Sequence, residues 1–322
     1  MLVFGTSSAS AEDTVRFLND WRWEGQSAPL LMATQTTFPK AKLDVKVTPG
    51  TGSGATVAKV ASGEFDMGLG DFSALVEFAA KNPNVAPPVA VYVMYERTPA
   101  ALFIRKTSAT TPAQLTGKKI AAPVFDGGRK LWPVFAESAK TGAVQWQNVD
   151  AAQREAQFAK GEFDAITGFF FTTMLNLESA GMSGYDYHVY RFYEYDVRVY
   201  GNVLLVNPTY LRNNPKVVQR VVQGFHTSLK SSIRDSASAV KYVAQMDPKI
   251  NEKLELRRAR LAFEHFVNTP TVQTDGLGTI DMKRVSESIT TVVAAFKLQS
   301  TPTASSIATV NFLPTVEDRR VQ

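Results

Sequence analysis

The feature that most constrains the fold of this chain is a regular alternation of strand and helix patterns over its first two thirds. Leu43, Val45 and Val47 alternate with polar or charged residues, as in a half-buried strand. The apolar run at residues 89–94 predicts a strand buried on both faces. The remaining third predicts mainly helices, over residues 215–246, 251–266 and 281–298.

Alternating strands and helices predict sheets with helices on both faces. Because the alternation comes in two blocks, we predict an α/β protein of two lobes, each a mixed sheet flanked by helices, with a helical C-terminal third. Residues 12–103 and 205–322 would form the first lobe, and residues 104–204 the second. Ligands of open α/β sheets bind beyond the carboxyl ends of the strands. Two facing lobes would therefore place both sets of strand ends at one cleft.

The composition excludes several kinds of site. None of the 322 residues is cysteine, which excludes disulfides, cysteine nucleophiles, Fe–S clusters and zinc–thiolate sites. The three histidines, His188, His226 and His265, are never spaced i, i+4, so a histidine metal site is not expected. The 35 basic residues exceed the 30 acidic ones but form no basic block, so we expect no nucleic-acid partner. We predict a protein that is not an enzyme, with no cofactor or metal.

The first eleven residues bear on the compartment. Ala9-Ser10-Ala11 fits the small-x-small pattern that signal peptidase reads, with cleavage expected after Ala11. A basic n-region and a full apolar h-region are not present in residues 1–11. The segment is thus either a signal-peptide remnant or a flexible tail, and we favour export.

Six short segments recur, in this order, in one protein family. They are Asn19-Asp20-Trp21 with residues 27–30, then residues 62–68, 112–120, 159–165, 202–215 and 311–314. Their order and spacing resemble periplasmic solute-binding proteins of ABC importers, in the branch that handles sulfonates, nitrate, riboflavin and thiamine-pyrimidine precursors. The resemblance covers nearly the whole chain. It implies the type II two-lobe fold, a periplasmic monomer, and delivery of a small ligand to an ABC permease.

Aromatic and acidic side chains follow the first predicted strand. The resemblance places Trp21 at the cleft, where we expect it to stack on a planar ligand, with Trp23 nearby. A core tryptophan is the alternative. Asp20 either accepts a hydrogen bond from the ligand or caps a turn. The pyrimidine-precursor binders carry Asn and His in this loop, where Glu24 and Ser27 fall here, so a pyrimidine ligand is in doubt.

The loop at residues 50–55, Gly-Thr-Gly-Ser-Gly-Ala, follows a strand and opens a helix. Backbone N–H groups and the hydroxyls of Thr51 and Ser53 are expected to face the cleft there, where an anionic or carbonyl oxygen is stabilised. The loop also fits a loosened dinucleotide fingerprint, which we set aside because no long βαβαβ half begins at this strand. A plain turn is the alternative.

Other strand ends of the first lobe carry three more candidates. Asp71 begins a helix, where capping and cleft lining are compatible. Tyr95 and Arg97 follow the buried strand at residues 89–94. Arg97 is placed to pair with a ligand carboxylate or sulfonate, or to form a surface salt bridge.

In the second lobe, Phe125, Asp126 and Gly127 link a strand to a helix, at whose N-terminus a polar edge of the ligand is expected. Phe169 and Phe170, in a run of three phenylalanines, follow the next strand, and we expect one or two of these rings at the cleft.

The stretch before the predicted return crossing adds Glu194, Asp196 and Tyr200, where an acidic residue is placed to recognise an amino-bearing heterocycle. A solvated hairpin is the alternative for this stretch. Aromatic walls with acceptor groups favour a flat nitrogen heterocycle over a small sulfonate or nitrate, which stays the alternative. A role in a receptor is also open. Fungal thiamine-pyrimidine synthases resemble this chain too, but they rely on a cysteine-rich loop and a reactant histidine.

Overall fold

The computed structural model describes residues 12–321, so the predicted cleavage motif at residues 9–11 lies outside the described part. Two mixed sheets of five strands each are flanked by helices, as the alternation predicts. The strands are β1 (Asp13–Leu18), β2 (Leu43–Thr48), β3 (Met67–Asp71), β4 (Val89–Val93), β5 (Ala100–Arg105), β6 (Lys119–Ala121), β7 (Gln145–Gln147), β8 (Ala165–Phe169), β9 (Tyr187–Arg191) and β10 (Asn202–Val206).

Helices connect the strands and make up most of the C-terminal third. They are α1 (Ala28–Gln35), α2 (Thr37–Lys40), α3 (Ser53–Ser62), α4 (Phe72–Lys81), α5 (Gly127–Ser138), α6 (Arg154–Ala159), α7 (Phe170–Ser179), α8 (Pro208–Asn213), α9 (Pro215–Arg234), α10 (Ser236–Met246), α11 (Glu252–Ala262), α12 (Pro270–Asp275), α13 (Met282–Phe296), α14 (Ala304–Ile307) and α15 (Val316–Arg319). Short 3-10 helices cover Gly25–Ser27, Pro112–Leu115 and Phe192–Glu194, and Phe263–Val267 is π-helical.

The two sheets share one plan. The first has the order β2-β1-β3-β10-β4 and the second the order β7-β6-β8-β5-β9. In the first sheet β10 runs antiparallel between β3 and β4, and in the second β5 runs antiparallel between β8 and β9. Each sheet therefore contains one antiparallel strand inside it, β10 or β5. That strand directly follows a crossing of the chain between the lobes.

The chain passes between the lobes through residues 94–99 and 192–201, which we call the waist. The predicted boundaries, 103/104 and 204/205, fall instead inside β5 and β10. Both strands are apolar and hydrogen-bonded on each side, so neither can be divided between lobes. The two passes bond to each other, because the Gly201 N–H donates to the Tyr95 carbonyl at 3.0 Å and the Thr98 N–H to the Val199 carbonyl at 3.0 Å.

The C-terminal helices complete the first lobe and also contact the second. Helix α9 packs on α1 and α2, while α13 packs on α4 of the first lobe and α5 of the second. The helix predicted over residues 215–246 is interrupted at Asp235, whose carboxylate accepts a hydrogen bond from the Ser238 N–H at 3.0 Å and caps α10. Among residues 12–321, no helix is long and apolar enough to span a bilayer.

Candidate ligand-binding cleft

A cleft of about 360 Å³ lies between the lobes, at the carboxyl ends of β1, β3, β4 and β8. That volume is within the range of small-molecule pockets. Ten predicted site residues line it: Asp20, Trp21, Thr51, Ser53, Asp71 and Tyr95 from the first lobe and waist, and Phe125, Asp126, Gly127 and Phe169 from the second lobe. Both lobes therefore contribute side chains to one site, as expected for strand ends that face each other.

Aromatic rings form the walls of the cleft. Tyr95 from the waist and Phe171 from the second lobe meet edge to face, with ring centroids 5.9 Å apart. Phe125 is 60% exposed beside the cleft, which is unusual for so apolar a side chain. The indole Nε1 of Trp21 is buried and has no hydrogen-bond partner among the described residues. A buried donor left without a partner costs stability, so this atom indicates a place where a ligand acceptor fits.

Two carboxylates stand on the first-lobe side. Oδ2 of Asp20 accepts hydrogen bonds from the Ser53 hydroxyl at 2.9 Å and from Nδ2 of Asn202 at 2.8 Å. Asp71 ends β3 and caps α4, accepting from the Ser73 N–H at 2.8 Å. Burial raises the pKa of Asp20 to about 6, and the nearby Asp71 charge adds to this shift. Burial likewise raises the pKa of Asp71 to about 6.

The raised pKa of Asp20 predicts that Asp20→Asn stabilises the ligand-free protein near neutral pH. An unfolded aspartate titrates at about 4, so between about pH 4 and 6 the folded protein binds more protons than the unfolded chain. Stability from Asp20 therefore falls as pH rises through this window. The uncharged asparagine avoids that loss and keeps an oxygen for Ser53 and Asn202. We expect a gain of about 1 kcal/mol near pH 7.5 that shrinks toward pH 4.5, measured by urea unfolding.

The matched control is Asp126→Asn, which removes a carboxylate that is already paired in the folded protein. This change is expected to destabilise the protein near pH 7.5. A loss of stability for Asp20→Asn as large as that for Asp126→Asn would contradict the prediction.

The second-lobe side is built around a buried ion cluster that the sequence did not reveal. Asp126 caps α5 and also accepts from the Thr167 hydroxyl at 2.7 Å and from Arg154 at 3.3 Å. The Arg154 guanidinium binds Glu155 at 2.6 Å and the Thr173 hydroxyl at 3.0 Å. Asp126 and Thr173 are distant from Arg154 in sequence and only Glu155 is adjacent, so no local pattern singled out Arg154.

Polar contacts join the lobes around the cleft. Lys130 of α5 binds Glu77 of α4 at 2.5 Å, and the Thr172 hydroxyl donates to Glu24 at 3.2 Å. On the helical side, Arg257 of α11 and Glu178 of α7 form an ion pair at 2.6 Å. These contacts connect the two lobes around the cleft. Lys130, Thr172 and Asn202 line the cleft without having been predicted, although Asn202 begins one of the family-like segments.

The glycine-rich loop supports the segment that carries Asp20 and Trp21. The Gly52 N–H donates to the Asp20 carbonyl at 2.7 Å, and the Gly50 N–H to the Trp21 carbonyl at 3.1 Å. A Cβ on Gly50 would lie 2.1 Å from the Asn19 carbonyl oxygen, and Gly52 has a φ of +139°. Glycine is therefore required at both positions for close approach and for backbone conformation.

Six predicted site residues do not line the cleft. Three of them pack against other parts of the protein. Trp23 is partly buried against the first-lobe core. The Arg97 Nε donates to the His265 carbonyl at 2.7 Å, and its guanidinium stacks over Tyr193 at 3.8 Å. Phe170 packs edge to face on His265 at 5.2 Å, because side chains at the end of β8 alternate and its neighbours line the cleft.

The other three belong to the return pass of the waist. Glu194 pairs with Arg191 at 2.5 Å, and the exposed Asp196 pairs with Arg198 at 3.0 Å. Tyr200 is buried, and its hydroxyl accepts from the Asp281 N–H at 3.2 Å. This stretch is not a hairpin: it is a 3-10 turn followed by the crossing. Tyr200 contacts the start of α13, and the two acidic side chains pair with arginines close to them in sequence.

Two lobes joined by a double crossing, with a cleft at their strand ends, define the periplasmic-binding-protein fold. The alkanesulfonate-binding protein SsuA from Xanthomonas axonopodis pv. citri, solved with MOPS bound, matches at a TM-score of 0.70 and 16% identity, over 94% of this chain and 100% of that chain. SsuA from Escherichia coli, an aliphatic sulphonate binding protein, matches at 0.70 and 13% identity, over 92% and 97%. The nitrate-binding protein NrtA from Synechocystis PCC 6803 matches at 0.68 and 11% identity, over 94% and 88%.

At such identities these likenesses show the fold alone. The sequence adds the family: residues 24–239 match the NMT1/THI5-like family, which is more than half of the chain. The protein belongs to the NMT1/THI5-like family. No curated protein sequence matches it.

Proposed function

We propose that this protein is an extracytoplasmic solute-binding protein that captures a small aromatic or heterocyclic ligand between its lobes and delivers it to an ABC permease. The cleft carries this proposal. It is lined by both lobes, has Trp21, Tyr95 and Phe169 in its walls, and contains a small number of polar groups. Such a cleft suits capture of a flat molecule and needs no nucleophile or general base.

The fold supports a role in solute capture. The three solved proteins described above are named for binding sulfonates or nitrate, and one was solved with MOPS bound. In the proposed cycle, the segments on either side of the waist move as two lobes. A ligand that contacts both lobes stabilises the closed form, and closure presents a lobe surface to the permease.

The polar groups of the cleft favour a heterocycle over a sulfonate or nitrate ligand. Three cationic side chains line it, and each is bound to a carboxylate of the protein: Arg22 to Glu24, Lys130 to Glu77, and Arg154 to Asp126. An anion would have to displace one of these partners, whereas a ring with N–H donors meets carboxylates directly.

A thermal-shift screen tests the proposal. The protein, stripped of bound small molecules, is compared with riboflavin, thiamine-pyrimidine precursors, purines and alkylsulfonates. A ligand at about a hundred times its Kd stabilises the folded state by about 2.7 kcal/mol, which raises the Tm by about 5 °C in a protein of this size.

We expect such a rise with a heterocycle and none with an alkylsulfonate. Mass spectrometry of the molecule that co-purifies with the protein gives an independent identification. No shift with any compound, together with no co-purifying molecule, would overturn the proposed function.

A further inference from the structure

We propose that the ligand carries one positive charge, spread over N–H groups of a flat ring system, and that Asp20, Asn202 and Asp71 together recognise it. The inference rests on the proposed function and goes further, because it assigns the charge of the ligand. It follows from the charges, hydrogen bonds and helix ends of the cleft.

Negatively charged side chains outnumber positively charged ones in the lining of the cleft. Four carboxylates line it, from Asp20, Asp71, Glu77 and Asp126, against three cations that are all bound to carboxylates. Asp20 and Asp71 form no ion pair with any residue of the described chain. The protein as a whole carries a net charge of +5, so this local excess of negative charge does not reflect the composition.

Helix ends compensate only part of this charge. Asp71 caps the N-terminus of α4, and Asp20 bonds to Ser53, the first residue of α3. Each helix N-terminus is equivalent to about half a positive charge. The α4 end and the nearby Lys130 charge thus both act on Asp71, whereas the charge of Asp20 remains for a ligand cation to neutralise. The Ser53 hydroxyl already donates to the Asp20 carboxylate, whose negative charge disfavours a ligand anion at that position.

The hydrogen bonds indicate donors on the ligand. Both hydrogen bonds that the Asp20 side chain accepts from other residues go to Oδ2, so Oδ1 can accept from a donor on the ligand. Asn202 lies opposite Asp71 in the pairing of β10 with β3 and donates its Nδ2 to Asp20, which fixes the orientation of its amide. Its Oδ1 is buried and has no partner among the described residues.

The Asn202 Oδ1 acceptor therefore lies near the carboxylates of Asp20 and Asp71. All three groups can accept hydrogen bonds from N–H donors of a ligand. The buried Trp21 Nε1 is the complementary donor for a ring nitrogen or carbonyl. The aromatic walls add attraction for a cation, because the face of an aromatic ring is electronegative. An amidinium or a protonated amino-heterocycle combines these properties.

Three probes of the same shape test the charge: benzamidine, which is a cation at neutral pH, benzamide, which is neutral, and benzoate, which is an anion. Each is titrated by isothermal calorimetry into protein stripped of bound small molecules. We expect benzamidine to bind about tenfold or more tightly than benzamide, as hydrogen bonds between charged groups are the stronger ones, and benzoate not to bind.

Two variants connect the preference to the carboxylates. Asp20→Asn and Asp71→Asn keep the shape and a hydrogen-bond acceptor, and asparagine caps helices as well as aspartate, so both variants are expected to fold. Each should reduce benzamidine binding to about the level of benzamide while changing benzamide binding little. Asp44→Asn, at an ion pair with Lys46 on β2, is the control for total charge and should change nothing.

Several results would overturn the inference: benzamide or benzoate binding as tightly as benzamidine, none of the three binding, or an unchanged preference in both cleft variants. A neutral or anionic ligand found by the thermal-shift screen would also overturn it and would leave the proposed function standing. Failure of the proposed function differs, since neither the screen nor the co-purified fraction would then yield any ligand.

Discussion

Trp21→Ala is expected to weaken binding of the ligand by about thirtyfold, which corresponds to about 2 kcal/mol. The indole lines the cleft, and its Nε1 is a buried donor that has no partner in the described chain. Truncation to alanine removes both the stacking surface and this donor, and large aromatic side chains at the centre of a site carry much of the binding energy. Calorimetry with the compound found in the thermal-shift screen measures the change in Kd.

Trp23→Ala is the matched control, because it removes the same side chain two residues away. Trp23 packs against the first-lobe core and does not line the cleft. Its loss is expected to lower the free energy of unfolding by about 1–3 kcal/mol and to leave the Kd nearly unchanged. Equal effects of the two substitutions on Kd would contradict the assignment of Trp21 to the site.

Arg154→Ala is expected to lower the free energy of unfolding by about 3–5 kcal/mol. The guanidinium is buried between Asp126 at 3.3 Å and Glu155 at 2.6 Å. Removing it leaves two buried carboxylates without a counter-charge and opens a cavity beside the cleft. Breaking a buried ion pair in this way costs far more than the pair contributes relative to an apolar replacement. Urea unfolding followed by circular dichroism measures the change.

The comparison is Arg198→Ala, which removes an arginine from an exposed ion pair. Arg198 and Asp196 have side chains that are 82% and 71% exposed. Solvent screens such a pair, so we expect a change within about 0.5 kcal/mol. If Arg154→Ala were no more destabilising than Arg198→Ala, the buried cluster would not depend on Arg154 for its charge balance.

The sequence predicted strand ends better than it predicted side-chain directions. Asp20, Asp71 and Asp126 were placed at the cleft because each follows a strand and begins a turn or helix, which is a local property. Phe170 was misplaced for the same reason: the pattern locates the end of β8 but not the face on which each phenylalanine lies. Neighbouring side chains alternate there, so one residue of register separates a cleft wall from a packing contact.

The misplaced acidic residues and Arg97 show a second limit. The sequence placed Glu194 and Asp196 before the return crossing, near its true position. Their partners determine their role: Arg191 ends β9, Arg198 lies on the return pass, and both hold the acidic side chains away from the cleft. A charged residue near a predicted site can equally pair with its neighbours, and local patterns carry no information on which pairing forms.

Hydrophobic periodicity and turn residues suffice to predict the two α/β lobes, the helical C-terminal third and the strand ends at which the cleft forms, because they are local properties of the chain. Which charged side chains form ion pairs depends instead on the folded arrangement of distant segments. Lys130 finds Glu77, and Arg154 finds Asp126, across stretches of sequence that no periodic pattern connects. Asp20 and Asp71 are left without such a partner because burial and distance, rather than residue type, determine which carboxylates are neutralised.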